Sequence, residues 1–287
     1  MSLLAQQLVL AVLLGGVYVA VAVGFSLVWG ILNIINLSHG AFIVVGAYIT
    51  WTLFGRFGID PFLSLPLDAL ALFVIGYALQ RGLINRVIRA PVFFTLLLTF
   101  GVNLAIVNLL LAVFTSDFRS VTPSYAGSGL TLGPVVVPYI RLAAFVIAFV
   151  VAGLLSLLLA RTRVGAAIQA VASDRDAAQL VGIDLRHTYA LTYGIGAACA
   201  GVAGGLLSTV QAISPTAGDP YTLQAFVIVV LGGLGSVTAT VVGGLLFGFI
   251  EVFGQAAPGL GAGYANAIAF AVLVVVLVVR PQGLLGR

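Results

Sequence analysis

Nine apolar runs follow one another along the chain, at residues 6–30, 40–55, 62–80, 92–115, 139–160, 189–213, 222–235, 237–256 and 264–280. A helix needs about 20 apolar residues to cross the hydrocarbon core of a bilayer. Backbone polar groups in lipid must be satisfied internally, which leaves helices or closed barrels. Barrel strands read as short alternating segments, whereas these runs are continuous. The expected fold is therefore all-α, a polytopic transmembrane helical bundle of about nine spans, with eight to ten compatible. The second and seventh runs are short, so half-helices or re-entrant segments are expected there.

Charge agrees with a lipid-facing surface. Only 7% of the 287 residues are charged and 62% are hydrophobic, against about 25% charged in soluble domains. No hydrophilic block is long enough for a soluble domain, so 1–287 reads as a single membrane domain. The first run, Leu8 to Trp29, lacks a basic leader and exceeds the core of about 7–15 residues of a signal peptide, so it is expected to stay as a span.

The twelve basic residues are all Arg, set in short gaps between runs. That pattern carries topology and excludes a nucleic-acid surface. With nine spans, Arg81, Arg86, Arg89, Arg161, Arg163, Arg175, Arg186, Arg280 and Arg287 fall on one side. Arg56, Arg119 and Arg141 fall on the other. Nine against three places the C-terminus in the cytoplasm and the N-terminus outside. The outer loop from Ser116 to Pro138 is rich in turn formers and hydroxyls, with short extended stretches at best. It serves either as a connector or as a surface for an external partner.

The segment 161–188 reads as two short helices. In the first, about 164–172, Val164, Ala167, Ile168 and Val171 share a face. Ser173 is an N-cap candidate for the second, with Asp176 at capping-box spacing, and Gly182 stands where a left-handed C-cap belongs. A two-turn helix is too short to be stable alone, so it must dock against something, whether a partner protein or lipid headgroups.

Polar residues inside apolar runs are costly and usually face the bundle interior. Asn33, Asn36, Ser38 and His39 cluster at the inner end of the first span. Asn103 and Asn108 lie in the fourth, and Gln211 lies near the outer end of the sixth. Glu251 reads as the one acid well inside a span. Gly232, Gly233 and Gly235 interrupt an apolar region and predict a broken helix, which is tolerated where it lines a cavity or is buried. Gly201 with Gly205 and Gly244 with Gly248 have the spacing that permits close helix approach. The translocation path is accordingly expected among Asn33, Asn36, His39, Asn103, Gln211, Gly232, Gly233, Gly235 and Glu251.

Catalytic readings fail. The absence of Lys rules out a phosphate-loop lysine, Cys199 is alone, and no His/Cys/acid set has metal-ligand spacing. No cofactor or metal is expected, and the chain is not read as an enzyme. A lone secondary transporter would need titratable coupling sites and ideally an internal repeat. Glu251 and His39 are a poor basis for one.

Four motifs occur in order over nearly the whole chain: Asn33-Ile-Ile-Asn-Leu-Ser-His-Gly, Asp176-Ala-Ala with Gly182, Leu231-Gly-Gly-Leu-Gly-Ser and Arg280-Pro-Gln-Gly-Leu-Leu-Gly. Together they resemble the branched-chain amino-acid ABC transporter permease family, in its LivH-like half. Asp176 stands where the usual cytoplasmic loop of such permeases has Glu, and the Ile-x-Leu-Pro that normally follows is missing.

The resemblance implies an inner-membrane permease subunit for branched-chain amino acids. Its implied partners are a second homologous permease, two cytoplasmic ABC ATPases and a periplasmic substrate-binding protein. It also implies that 161–188 couples to the ATPases, through Arg163, Gly165, Ala170, Ser173, Asp174, Asp176, Ala177, Ala178 and Gly182. Related permeases carry urea, amides or aromatic acids, and these stand as alternative substrates.

Overall fold

The computed structural model describes residues 2–88, 90–133, 135–256, 264–280 and 282–285. Arg89, Arg287, and Pro281 and Gly286 of the closing motif lie outside the described residues. Helices occupy all nine apolar runs: α1 Ser2–Leu32, α2 His39–Phe57, α3 Pro61–Leu79, α5 Val92–Phe114, α6 Tyr139–Arg161, α9 Leu185–Val210, α10 Gly218–Gly232, α11 Val237–Ala256 and α12 Tyr264–Val279. A π-helical turn, Gln80–Ile84, joins α3 to the short α4, Asn85–Val87, and α7 Arg163–Ser173 and α8 Arg175–Leu180 separate α6 from α9. Among the described residues, seven helices are long and apolar enough to cross a membrane: α1, α2, α3 with its continuation, α5, α6, α9 and α11. At 15 and 16 residues, α10 and α12 are shorter. Length over the described residues thus accounts for seven of the nine expected crossings.

The core is built around α1 and α9, each packed against several other helices. Small residues allow this. A Cβ on Gly204 of α9 would run into the Ile43 carbonyl of α2, so only glycine lets these backbones meet. Both small-residue pairs expected from sequence lie at such contacts, Gly201 and Gly205 against α3 and Gly244 and Gly248 against α1. By contrast, α5 and α6 leave most of their surface open.

The two short runs begin inside the bundle. His39, the first residue of α2, bonds through Nε2 to the Val21 carbonyl of α1 at 2.8 Å. Val21 lies eleven residues before the end of α1, a rise of about 16 Å. The segment 33–38 therefore turns back into the bundle before α2 begins. Gly40 stacks on the Gly218 carbonyl at the start of α10 with no room for a Cβ, so α10 begins at the same depth. Two helix N-termini meet inside the protein.

At one end, the loop between α5 and α6 adds two short strands to the helical bundle. β1 (Gly129–Leu132) and β2 (Val135–Pro138) form an antiparallel hairpin in which Leu130 pairs with Val137. Gly133 supplies the positive φ of its turn at 61°, and the valine run favours extended backbone. The loop is tied down by reciprocal Arg119–Ile213 backbone bonds of 2.9 and 2.7 Å. Tyr125 donates to Asp60 at 2.6 Å, while the other Asp60 oxygen caps α3 at Phe62 N. Burial first, and Asp60 beside it, push the Tyr125 phenol above the usual tyrosine range. The opposite end carries α4, α7, α8 and the start of α9.

Candidate functional site

The α7–α8 unit is shaped by its caps. Thr162 accepts the Gly165 amide at 3.0 Å to start α7. The residue that starts α8 is Asp174, not the expected Ser173. Its Oδ1 accepts from Asp176 N at 2.9 Å and Ala177 N at 3.0 Å, whereas Ser173 is the last residue of α7. The carboxylate of Asp174 reaches both free amides because it stands one position nearer to them. Gly182 takes φ of 89°. Its amide bonds Gln179 O at 3.0 Å, and Ile183 N bonds Ala178 O at 3.1 Å, which makes the C-cap a Schellman motif.

The buried face of α7 is Gly165, Ile168 and Val171, with Ala167 and Ala170 half-buried and Val164 exposed instead of inward. A Cβ on Gly165 would meet the Leu158 carbonyl and the Leu159 backbone of α6, so residue 165 takes the inward place that Val164 is too large to fill. In α8 only Ala178 is buried. Arg163, Ser173, Asp174, Asp176, Ala177 and Gly182 are exposed. Leu180 and Val181 project at 89% and 77% exposure, an apolar tip on a polar end of the protein.

The second constellation surrounds the junction of α2 and α10. Asn36 Oδ1 accepts from Ser38 N at 3.1 Å, Ser38 Oγ at 2.6 Å and Tyr193 Oη at 2.9 Å. Thr222 Oγ1 accepts the Gly40 amide at 2.8 Å, satisfying an orphan donor of α2. Asn103 of α5 donates to Asp219, in the first turn of α10, at 3.0 Å, and an acid there suits the positive end of the helix. Asn36, His39 and Asn103 are thus brought into one polar seam with hydroxyls of Ser38, Thr99, Tyr193 and Thr222. The seam offers donors, acceptors and one carboxylate but no nucleophile paired to a base.

The other expected path residues lie elsewhere. Asn33 is exposed with φ of 53° and donates its amide to Trp29 O, so it ends α1. Gln211 donates to Tyr221 at 2.8 Å, and Tyr221 and Tyr18 both lie near Glu251, whose Oε1 accepts from Gln255 at 3.1 Å. Gly232 ends α10, and Gly233 and Gly235 take φ of 125° and 77° in the turn to α11, which is the expected break. The carbonyls of Leu231 and Gly232 accept from Leu284 N and Leu285 N, each at 2.9 Å. Asn108 bonds only within its own helix, to Leu104 O.

Sequence reasoning missed Asp68. Glu251 is not the one acid inside a span, because Asp68 lies within α3, is 0% exposed and accepts from Thr50 at 2.6 Å. The signal was visible as a single Asp in Leu65-Pro-Leu-Asp-Ala-Leu. Tyr193 was missed because a tyrosine in an apolar helix reads as packing until its hydroxyl partner is known.

The family model for the permease component of the branched-chain amino acid transport system matches residues 7–277. The high-affinity branched-chain amino acid transport system permease protein BraD of Pseudomonas aeruginosa is 34% identical, covering 98% of this chain and 95% of its own length. LivH, the corresponding high-affinity permease protein of Escherichia coli K12, is 30% identical with the same coverage. A probable LivH of Methanocaldococcus jannaschii is 29% identical over 96% of this chain and 90% of its own. No solved structure matches significantly. A shared sequence over this length, on a multi-pass helical bundle with a capped α7–α8 unit at one end, places the chain in the branched-chain amino acid transport system permease family.

Proposed function

We propose that this chain is the permease subunit of an ABC importer and forms the membrane path for branched-chain amino acids. The naming of relatives that align end to end with it supports the substrate class. The chain acts as one domain, 1–287, in a bacterial inner membrane. It pairs with a second, homologous permease, with two cytoplasmic ATPases that hydrolyse ATP and with a periplasmic binding protein. Arginine placement supports a cytoplasmic C-terminus and an external N-terminus. On this topology α10 and α12 complete nine spans with the bundle's help.

The observation that carries the coupling role is the α7–α8 unit: capped at both ends, anchored by Ala178 and presenting Leu180 and Val181 outward. An apolar tip held rigidly in water fits a cleft on an ATPase. The exposed Arg163, Ser173, Asp174, Asp176 and Ala177 form the polar rim, Gly165 and Ala170 hold α7 to the bundle, and Gly182 sets the angle of the tip. The path itself follows the seam at the α2–α10 junction, through Asn36, His39 and Asn103. It continues toward Gln211 and Glu251 at one end and toward the Gly232, Gly233 and Gly235 turn at the other. Asn33 borders it only as the cap of α1.

Leu180→Asp, and separately Gly182→Asp, should abolish amino-acid uptake and copurification of the ATPase while leaving membrane insertion intact. Normal uptake with the ATPase still bound in both variants would sink the coupling assignment.

A further inference from the structure

A cavity of about 890 Å³ opens at the same end of the protein, between the π-helical turn, α4, α8 and the start of α9. Arg81, Arg86, Arg175 and Arg186 line it, and Asp176 is the one acid among the described residues of its wall. Arg175 is already committed, donating to Leu32 O at 3.0 Å and lying 5.7 Å from the Tyr189 ring. Arg81, Arg86 and Arg186 form no ion pair among the described residues; the single pair there is Arg119 with Asp117. Four arginines share this wall with one acid, and like charges in such excess repel one another, so the arrangement favours an entering anion.

The cavity is built rather than incidental. Gln80 donates to Asn85 at 3.0 Å, and Asn85 donates to the Arg186 carbonyl at 3.1 Å, which fixes α4 to the start of α9. The π turn changes the helical phase between Leu79 and Asn85, which brings Arg81 and Arg86 to the same wall.

The surroundings say what kind of anion fits. Arg81 and Arg86 are accompanied by exposed apolar side chains, Val74 before them, Leu83 between them and Phe93 after. On the far side of α4, Val87 opens an apolar groove of about 460 Å³ that continues along α5 from Phe94 to Ala105. Eleven helical steps from Phe94 to Ala105 give it a length of about 16 Å, close to half the thickness of a bilayer's hydrocarbon core. A charged head end beside an apolar trough at the edge of a bundle matches an amphiphile.

We infer that this arginine cavity holds the phosphate-bearing headgroup of an anionic phospholipid, with an acyl chain lying along α5. This rests on the proposed orientation, which puts this end at the cytoplasmic leaflet, where anionic lipids attract clustered arginines.

Native mass spectrometry of the full-length chain in mild detergent tests this, with palmitoyl-oleoyl phosphatidylglycerol and phosphatidylcholine as probes. The wild type should retain one phosphatidylglycerol in preference to phosphatidylcholine. The triple variant R81Q/R86Q/R186Q should lower that retention by about tenfold or more, and R81K/R86K/R186K should largely keep it. Gly101→Trp fills the groove at a position with open space around it and touches no arginine; it should weaken retention too, which guards against a Gln variant that simply fails to fold. Equal retention of the two lipids overturns the inference, as does unchanged retention in both the Gln and Trp variants. Retention of inorganic phosphate with no retention of phosphatidylglycerol would make the ligand a free anion. A Gln variant that keeps the lipid but loses its ATPase would make the cavity a protein-docking surface. Either result refutes the lipid assignment.

Discussion

Asp68 sits inside α3 with its carboxylate held by hydroxyls rather than by a cation. Thr50 donates to it at 2.6 Å, and Ser64 Oγ, which also donates to the Pro61 carbonyl, lies 2.8 Å from Thr50 Oγ1. The three side chains join α2 to α3 at a level where Gly205 of α9 also presses in, since a Cβ there would come within 2.6 Å of Asp68 Oδ2. Removing the carboxylate takes away the acceptor of the Thr50 hydroxyl and leaves it only Ser64 to turn to, and a lost intramolecular hydrogen bond costs about 0.5–1.5 kcal/mol. Asp68→Ala should therefore lower the thermal unfolding temperature of the purified protein, while Asp68→Asn, which keeps an acceptor, should lower it less. Equal melting of all three proteins would show that the hydroxyl network contributes nothing.

At the scale of elements, α8 is the clearest case of a helix sustained by its ends. Six residues cannot hold a helix by propagation alone. Asp174→Ala removes the acceptor of two amides and should cost about 1 kcal/mol of local stability. Hydrogen exchange should then quicken several-fold at residues 176–181 and stay unchanged in α9; uniform exchange across both would contradict the cap assignment.

These ends were largely legible in the sequence, because capping is a local matter: the helix pair, Gly182 and the Gly232–Gly235 break all fall where spacing put them. The shift from Ser173 to Asp174 is a choice between adjacent acceptors that only the backbone path decides. The depth at which α2 starts was not legible. It depends on Gly40 meeting Thr222, 182 residues away, and no local pattern encodes that. The hairpin between α5 and α6 was half legible: short extended stretches were expected there, but not that Leu130 would pair with Val137.

For the whole molecule, the decisive property is which side of the bilayer each end of the bundle faces. In a Cys199→Ala background, Ser116→Cys and Ser173→Cys place exposed thiols at opposite ends of α6. A membrane-impermeant maleimide applied to intact spheroplasts should label the first and reach the second only after permeabilisation. The reverse pattern would invert the topology and separate α8 from any cytoplasmic ATPase. The bonds from Leu284 and Leu285 to the last carbonyls of α10 bear on how such a bundle is made. Those carbonyls stay unsealed for as long as some fifty later residues remain unsynthesised or inside the ribosome. The break between α10 and α11 can therefore lock only once translation has passed residue 285, and a prematurely terminated chain would leave the insertion machinery with that end of α10 unfastened.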